Sequence, residues 1–497
     1  MRRVIGGVLG ASLLLTGCTE EYDDDVAATS TPPLVVQTAA PQDAAASSAP
    51  AGGSTTTSPP VPVDPADAIG DAELLDAVQW VLGLLEEDAE GPPAQEAAER
   101  FAPDFLEQVS PVELGLVLAQ VRSAGPYVVT AAVPSSGVGR TATLSLAAQD
   151  PLLMTVGVDE QGRIATLLLQ PDTSGEPPVV DAWPDLDAAL AELGGTSQVV
   201  VGHVQGGTCE TDYTSAGVEP GGDAFPGASV VKLLVLLAVV DEVEAGALSW
   251  DEELTLTADV VSLPSGELQD RPEGSSVQVR EAAELMISIS DNTATDLLME
   301  RVGQRALRAA AVEAGLDPTE VMPVPTTRQI FQLGWQVDSE VRTRWAEAVV
   351  PERREAMLAD LPAELDVDPA TVTEPRWQDG IDWFLTGEQV CSLHARLQQR
   401  AAEPAGEPVR EILALDPGLP PPEGVGYQAF KGGSLPGVLA MSFYVEPQEG
   451  AAGGDGEPAA PEGLVLVVQT RSAEPVDPLR AATIVGAGLQ HLVDVGG

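Results

Sequence analysis

The chain has 497 residues, 77 acidic against 24 basic, and a net charge of −53. A surface this acidic repels polyanions and anionic headgroups, which excludes nucleic-acid binding and electrostatic adhesion to lipid; its simplest role is solubility. Lysine occurs only at Lys232 and Lys431 and asparagine only at Asn292, while arginine supplies the other 22 positive charges. Arginine stays protonated, whereas a buried lysine can lose its proton and act as a base, so the rare residues point to chemistry.

The chain opens with Met1-Arg2-Arg3, an apolar run from Val4 to Leu15, and then Thr16-Gly17-Cys18. A basic start, a short hydrophobic stretch and small residues before the cut describe a secretory signal and are too short for a membrane span. Leu15-Thr16-Gly17-Cys18 resembles a bacterial lipoprotein box. The resemblance implies a signal over residues 1–18, lipidation of Cys18, and export to the outer face of the cell membrane with the lipid as anchor. Residues 19–67 are rich in Pro, Ala, Ser and Thr without apolar periodicity. They are expected to form a disordered tether reaching on the order of 40 Å.

Residues 68–172 are expected to form an α+β domain. Leu74, Leu75, Val78, Trp80, Val81, Leu82 and Leu85 mark a helical face. A second helix is expected over 94–109 and a third over 112–122. Strand patterns follow at 127–133, 141–147, 152–158 and 164–170, the last two joined by the turn Asp159-Glu160-Gln161-Gly162. Helices packed on a curved antiparallel sheet give a cone-like domain.

The Pro-, Asp- and Gly-rich stretch 171–182 marks a boundary, and residues 173–497 read as a second domain. A helix is expected over 183–193, a strand over 198–204, then a turn-rich segment. The turn-rich segment runs through Gly207, an apolar helix follows over about 229–243, another over 281–288, and a third after Asn292. Strands are expected near 427–433, 438–445 and 464–470, then a final helix over 478–493. This order implies an α/β sandwich with an antiparallel sheet built from both ends of the domain. Residues 447–462 read as an exposed hairpin connection and 336–375 as a charged, partly helical insertion. Cys209 and Cys391 are free to pair outside the cell, and the sequence leaves that open. His203, His394 and His491 lack metal-ligand spacing, so neither a metal nor a cofactor is expected.

Ser229 and Lys232 stand three apart at the expected helix start, which puts both on one face with the amine within reach of the hydroxyl. The helix N-terminus adds a positive field and backbone N–H groups beside the nucleophile. Serine attacks weakly unaided, and a neutral lysine is a suitable base. Ser290-Asp291-Asn292, in a loop between helices, adds a hydroxyl and an amide. Lys431, on a strand and followed by Gly432-Gly433-Ser434, adds a fixed cation. One lysine beside another depresses both pKa values, which favours a neutral Lys232.

Ser-x-x-Lys, Ser-Asp-Asn and Lys-Gly-Gly in this order resemble the motifs of the class A serine β-lactamases and penicillin-binding proteins. The resemblance covers roughly 183–493, including Ala245-Gly246-Ala247-Leu248-Ser249-Trp250-Asp251 and Met286 to Asp296. Leu263 to Asp270 and Lys431 to Ser434 are similar to the subgroup of the clavulanic-acid biosynthetic cluster. In that subgroup a small steroid-isomerase-like domain precedes the hydrolase domain, matching residues 68–172 here. The resemblance implies Ser229 as acylated nucleophile, Lys232 as base, Ser290 as proton relay to the leaving group, and Asn292 as a group orienting Lys232 and substrate. It implies that Lys431 holds Ser290 and a substrate carboxylate, with Gly433 and Ser434 at the substrate. The N–H groups of Ser229 and Ser434 become the oxyanion hole.

Two departures from the family pattern stand out. The threonine expected after Lys431 is Gly432. In Thr326-Thr327-Arg328-Gln329-Ile330, isoleucine occupies the place of the glutamate that activates deacylating water in the family. Glu320 and Glu374 flank this segment as substitutes, though surface carboxylates are the simpler reading. Tyr127 and Asp104 are available for isomerase-type chemistry, but their spacing does not separate catalysis from packing. The resulting expectation is an exported, lipid-anchored serine hydrolase of the β-lactamase type, acting on a small β-lactam, ester or peptide. An esterase or D-alanyl-D-alanine peptidase of the same fold, or a binder without turnover, are the alternatives. The oligomeric state is left open.

Overall fold

The computed structural model describes residues 62–86, 89, 94–122, 125–134, 140–148, 151–159, 161–172, 175–215, 224–448 and 463–496. The expected signal with Cys18, nearly all of the tether and most of the 447–462 connection lie outside them. The chain divides into two compact units, Met1–Asp172 and Thr173–Gly497.

In the N-terminal unit, α1 (Ala72–Leu84) starts at Asp71, whose carboxylate accepts from Glu73 N and Leu74 N. The same carboxylate receives two hydrogen bonds from Arg140, at 2.6 and 2.7 Å, and is held far below its ordinary pKa. The single helix expected over 94–109 is in fact two, α2 (Ala94–Arg100) and α3 (Pro103–Gln108). Pro103 lacks an N–H and drives Ala102 into an extended conformation (φ −63°, ψ 144°), while Phe101 bridges to Ile164. After α4 (Pro111–Arg122), strands β1 (Val128–Pro134), β2 (Arg140–Ala147), β3 (Leu152–Val158) and β4 (Ile164–Pro171) form an antiparallel meander in chain order. Leu74, Val78 and Val81 of α1 share a core with Leu144, Leu146, Met154 and Val156 of the sheet.

The C-terminal unit is a layered sandwich. Its sheet is formed by β5 (Thr196–Gln205), β6 (Thr208–Thr214), β7 (Val425–Leu435), β8 (Val438–Pro447) and β9 (Gly463–Arg471), in the order β7-β8-β9-β5-β6. The two ends of the unit meet where β9 pairs antiparallel with β5, from Gly463 opposite Val204 to Arg471 opposite Thr196. One face packs on α5 (Trp183–Leu190) and the last helix (Pro478–Gly496) through Leu186, Leu190, Val199, Leu466, Ile484 and Leu489. The other face covers α6 (Lys232–Glu244), α7 (Val279–Ser288), α8 (Asn292–Glu313, broken at Gly303) and the helix Gly387–Ala401. From Leu233 to Val240 every residue of α6 is buried, so α6 is the central helix of this layer.

Three expectations change here. Helix 183–193 becomes α5 followed by the 3-10 turn Ala191–Leu193. After the turn-rich segment that ends at Gly207, where no strand was expected, comes the edge strand β6, whose residues Thr-Cys-Glu-Thr-Asp-Tyr-Thr offer no apolar alternation and are mostly exposed or half-buried. The pairing left open at the cysteines is made: Cys209 on β6 is disulfide-bonded to Cys391 on the helix Gly387–Ala401, with Cα atoms 5.9 Å apart. It ties that edge to the inner helical layer.

Candidate active site

Ser229 lies in a 3-10 turn, Ala228–Val231, that feeds into α6 at Lys232, so the α-helix begins three residues after the serine. Ala228 has φ 43°, an uncommon conformation for a residue with a side chain. Asp382 holds this turn: its Oδ1 accepts from Ala228 N at 2.8 Å and from Trp383 N at 2.7 Å, while Gly227 N donates to Trp383 O at 2.9 Å. Asp382 is buried, its Oδ2 has no partner, and burial pushes its carboxyl up to about 7.

Lys232 is wholly enclosed. Its Nζ lies 2.5 Å from Ser290 O, 2.8 Å from Asn292 Oδ1 and 3.0 Å from Ser290 Oγ. A neutral amine has two hydrogens for the two carbonyl oxygens and a lone pair for the hydroxyl, so this cage suits the uncharged form. Burial, and then the charge of Lys431, hold Lys232 well below the ordinary lysine range, against the opposing pull of Asp291 and Asp296. The expected approach of Lys232 to Ser229 Oγ is not among these contacts. The oxygens of the 290–292 corner take the amine instead.

That corner is built with care for its backbone. Ser290 adopts φ 58°. Buried Asp291 caps α8 by accepting from Ala294 N at 2.8 Å, and its other oxygen accepts from Glu267 N and Leu268 N at 2.7 and 2.9 Å. Gly266 presses directly on the Asp291 carboxyl, leaving no room for a Cβ. Ser265 Oγ donates to Ser290 O at 2.9 Å, and Asn292 Nδ2 donates to Leu263 O at 3.0 Å. Residues 263–268 therefore form the shelf under the corner.

Lys431 reaches in from β7, with Nζ 3.1 Å from Ser290 Oγ and 2.8 Å from Gly432 O. The Ser290 hydroxyl thus bridges both lysines. Burial lowers Lys431 to about 8, while Asp416 pulls the other way; the expected mutual depression appears at Lys232 only. Gly433 allows β7 to touch the nucleophile turn: a Cβ there would run into Gly227 O and sit 2.8 Å from Ser229 N. This contact brings Ser434 to the same cleft as Ser229.

The cleft has a volume of about 560 Å³. Its polar lining consists of Ser229, Ser265, Asn292, Thr327 and Ser434, and the rest is apolar, including Leu263, Ile330, Phe331, Trp383, Leu435 and Leu439. Among the described residues no charged side chain lines it. Ile330 is 1% exposed and stands on the wall where a carboxylate was sought. Thr327 N and Arg328 N donate to Asp296 at 2.7 and 2.9 Å, fastening this segment to α8, and burial raises Asp296 to about 6. Glu320 is exposed, Glu374 pairs with Arg376 at 2.5 Å, and neither lines the cleft.

Sequence reasoning missed Asp382. Its only signal was one carboxylate inside the apolar run Ile381-Asp382-Trp383-Phe384. In the N-terminal unit, Tyr127 Oη donates to Val121 O at 3.0 Å, and the Asp104 side chain lies outside the described residues. Among the described residues no group of three or more His, Cys, Asp or Glu is arranged to hold a metal ion, and no helix is long and apolar enough to cross a membrane.

Residues 182–347 match the model of the β-lactamase enzyme family, and residues 69–164 match the model described as the ORF 12 gene product N-terminal. No curated protein matches. Among solved structures, the chain is similar to a β-lactamase from Sphaerobacter thermophilus DSM 20745 (22% identity, 63% of this chain and 97% of that one, TM-score 0.41). It is also similar to PBP-A (18%, 65% and 98%, 0.41) and to an ancestral class A β-lactamase (21%, 63% and 100%, 0.40). The β-lactamase-family match falls wholly within the C-terminal unit, as does the Ser229 site. The N-terminal unit, a separate α+β fold, carries the ORF 12-type match.

Proposed function

We propose that this protein is an exported serine hydrolase, tethered through a lipid on Cys18, which acylates Ser229 with a β-lactam or a related amide or ester. The observation that carries the reading is the enclosed Lys232 amine, caged by Ser290 and Asn292 and held below its ordinary pKa beside the Ser229 turn. In this reading neutral Lys232 takes the Ser229 proton as Oγ adds to the substrate carbonyl. The N–H groups of Ser229 and Ser434 receive the developing oxyanion. Ser290, between the two lysines, passes the proton to the leaving nitrogen or oxygen as that bond breaks. Asn292 keeps Lys232 oriented, Gly433 lets the strand close on the turn, and Lys431 supplies a fixed field at Ser290.

A second reading, slow turnover of the penicillin-binding kind, draws support from Ile330. Its apolar side chain occupies the wall on which a deacylating carboxylate would stand. Intact mass of the full chain with a penicillin and a cephalosporin, with Ser229→Ala as control, tests both. A Ser229-dependent adduct that forms and clears indicates a hydrolase, and one that persists indicates a penicillin-binding role. Absence of both adduct and product defeats the β-lactam reading and leaves ester substrates to be tried.

A further inference from the structure

His394 is a buried titratable group that the acylation chemistry leaves unused. It lies on the helix Gly387–Ala401, is 0% exposed, and stands one turn beyond Cys391, whose disulfide to Cys209 ties that helix to β6. Its Nε2 is 3.1 Å from Ser442 Oγ on β8, and that hydroxyl donates to Lys431 O on the neighbouring strand at 2.9 Å. The single Ser442 hydroxyl proton is thereby committed, so Nε2 carries a hydrogen and donates it. Burial drives the His394 pKa down to about 3, which keeps the ring neutral. Among the described residues Nδ1 has no partner. A leucine would fill this space without that desolvation cost, so packing alone does not account for a histidine here.

The strand beyond Lys431 has little else to hold it in place. A Cβ at Gly432 would sit 2.8 Å from the Phe430 ring, and one at Gly433 would run into Gly227 O beside the nucleophile turn, so neither position accepts a side chain. Two consecutive glycines leave the backbone loosely specified. Yet this stretch must set the Lys431 amine on Ser290 Oγ and Gly432 O and bring Ser434 to the cleft. We infer that His394 and Ser442 are positioning residues for the acylation reaction: the hydrogen bonds running from ring to hydroxyl to the Lys431 carbonyl pin β7 and so hold the Lys431 amine on Ser290. The inference rests on the serine-hydrolase reading above and adds two residues to it. Neither residue touches substrate or carries the transferred proton; both act through Lys431.

Because the chain has only Lys232 and Lys431, carbon-13 NMR of ε-labelled lysine reads each amine separately, and Lys232→Arg tells the two resonances apart. In His394→Leu and in Ser442→Ala the Lys431 midpoint, about 8 in the native protein, should climb by about half a pH unit or more as the loosened amine meets water. Ser229 acylation by benzylpenicillin and by 4-nitrophenyl acetate, followed by intact mass on the full chain, should slow by about tenfold at neutral pH. Its alkaline limb should move upward with the midpoint. His394→Gln, whose amide nitrogen reaches as far as Nε2, should restore the rate to within about threefold, with circular dichroism checking each fold. Native rates in both deletions, an unmoved Lys431 midpoint, or glutamine no better than leucine would each overturn the inference and leave the hydrolase standing. If the native protein takes no acyl group from either compound, the serine-hydrolase reading falls, and the Lys431 midpoint alone decides whether the pair holds that amine.

Discussion

Among the described residues of the N-terminal unit no polar or charged side chain is fully buried. The C-terminal unit closes over Lys232, Asp291, Asn292, Asp296, Asp382, His394 and Lys431. Polar groups cost free energy to bury, and partly satisfied ones cost most. On the proposed reading, the N-terminal core serves stability. The C-terminal unit retains costly groups around the proposed proton path, and its apolar helix α6 and five-stranded sheet carry that cost. Perturbed ionisation follows the same division: Lys232, Asp296, Asp382 and Lys431 shift mainly through burial, whereas Asp71 in the N-terminal unit shifts through its hydrogen bonds to Arg140.

The sharpest way to break this contrast is at the polar corner. Ser229→Ala and Lys232→Arg should each lower the rate of adduct formation by about 10³-fold or more while leaving the fold intact, measured by intact mass and circular dichroism. Full activity in Lys232→Arg would sink the neutral-base argument, because arginine cannot give up its proton. In the native protein the rate should climb as pH rises through the depressed pKa of Lys232, then fall near pH 8 as Lys431 loses its charge.

A cut into the apolar core should act the other way. Leu144→Ala should cost the N-terminal unit about 3 kcal/mol in urea unfolding and leave Ser229 acylation unchanged. A matching loss of acylation would show that the units do not divide stability from chemistry as argued.

Asp382→Asn keeps an acceptor for Ala228 N and Trp383 N while removing the charge. The native carboxyl titrates near 7 in the fold against an ordinary 3.8, so its stability contribution is complete below about pH 4 and is lost as pH rises through 7. The variant should therefore exceed the native protein by on the order of 2 kcal/mol at pH 8, with the gap closing toward pH 4 in denaturant titrations. Smallest of all, Glu320→Gln and Glu374→Gln should alter adduct clearance by less than about twofold, as exposed side chains outside the cleft. A large slowing in either would identify the missing base.

The site was legible because composition made it so. With two lysines and one asparagine in the chain, the three motifs stood out, and the fold brings Ser229, Lys232, Ser290, Asn292, Lys431 and Ser434 to one place. Long elements with strong apolar patterns, such as α6 and β9, were equally readable. Where the pattern was weak, reading failed. β6 has no apolar alternation because it lies at the sheet edge, and the 94–109 helix breaks because Pro103 outweighs the helical run around it.

By itself the sequence determined which groups are chemically special and the approximate course of the chain, since residue type and apolar period are local properties. Only the tertiary structure decided that Lys232 is caged by Ser290 and Asn292, that Cys209 meets Cys391, and that Asp382 supports the nucleophile turn. It also decided that the cleft wall is neutral and apolar. These depend on distant residues being brought together, Cys209 and Cys391 among them 182 positions apart, and on burial, which sets a group's ionisation and which no local run of sequence specifies.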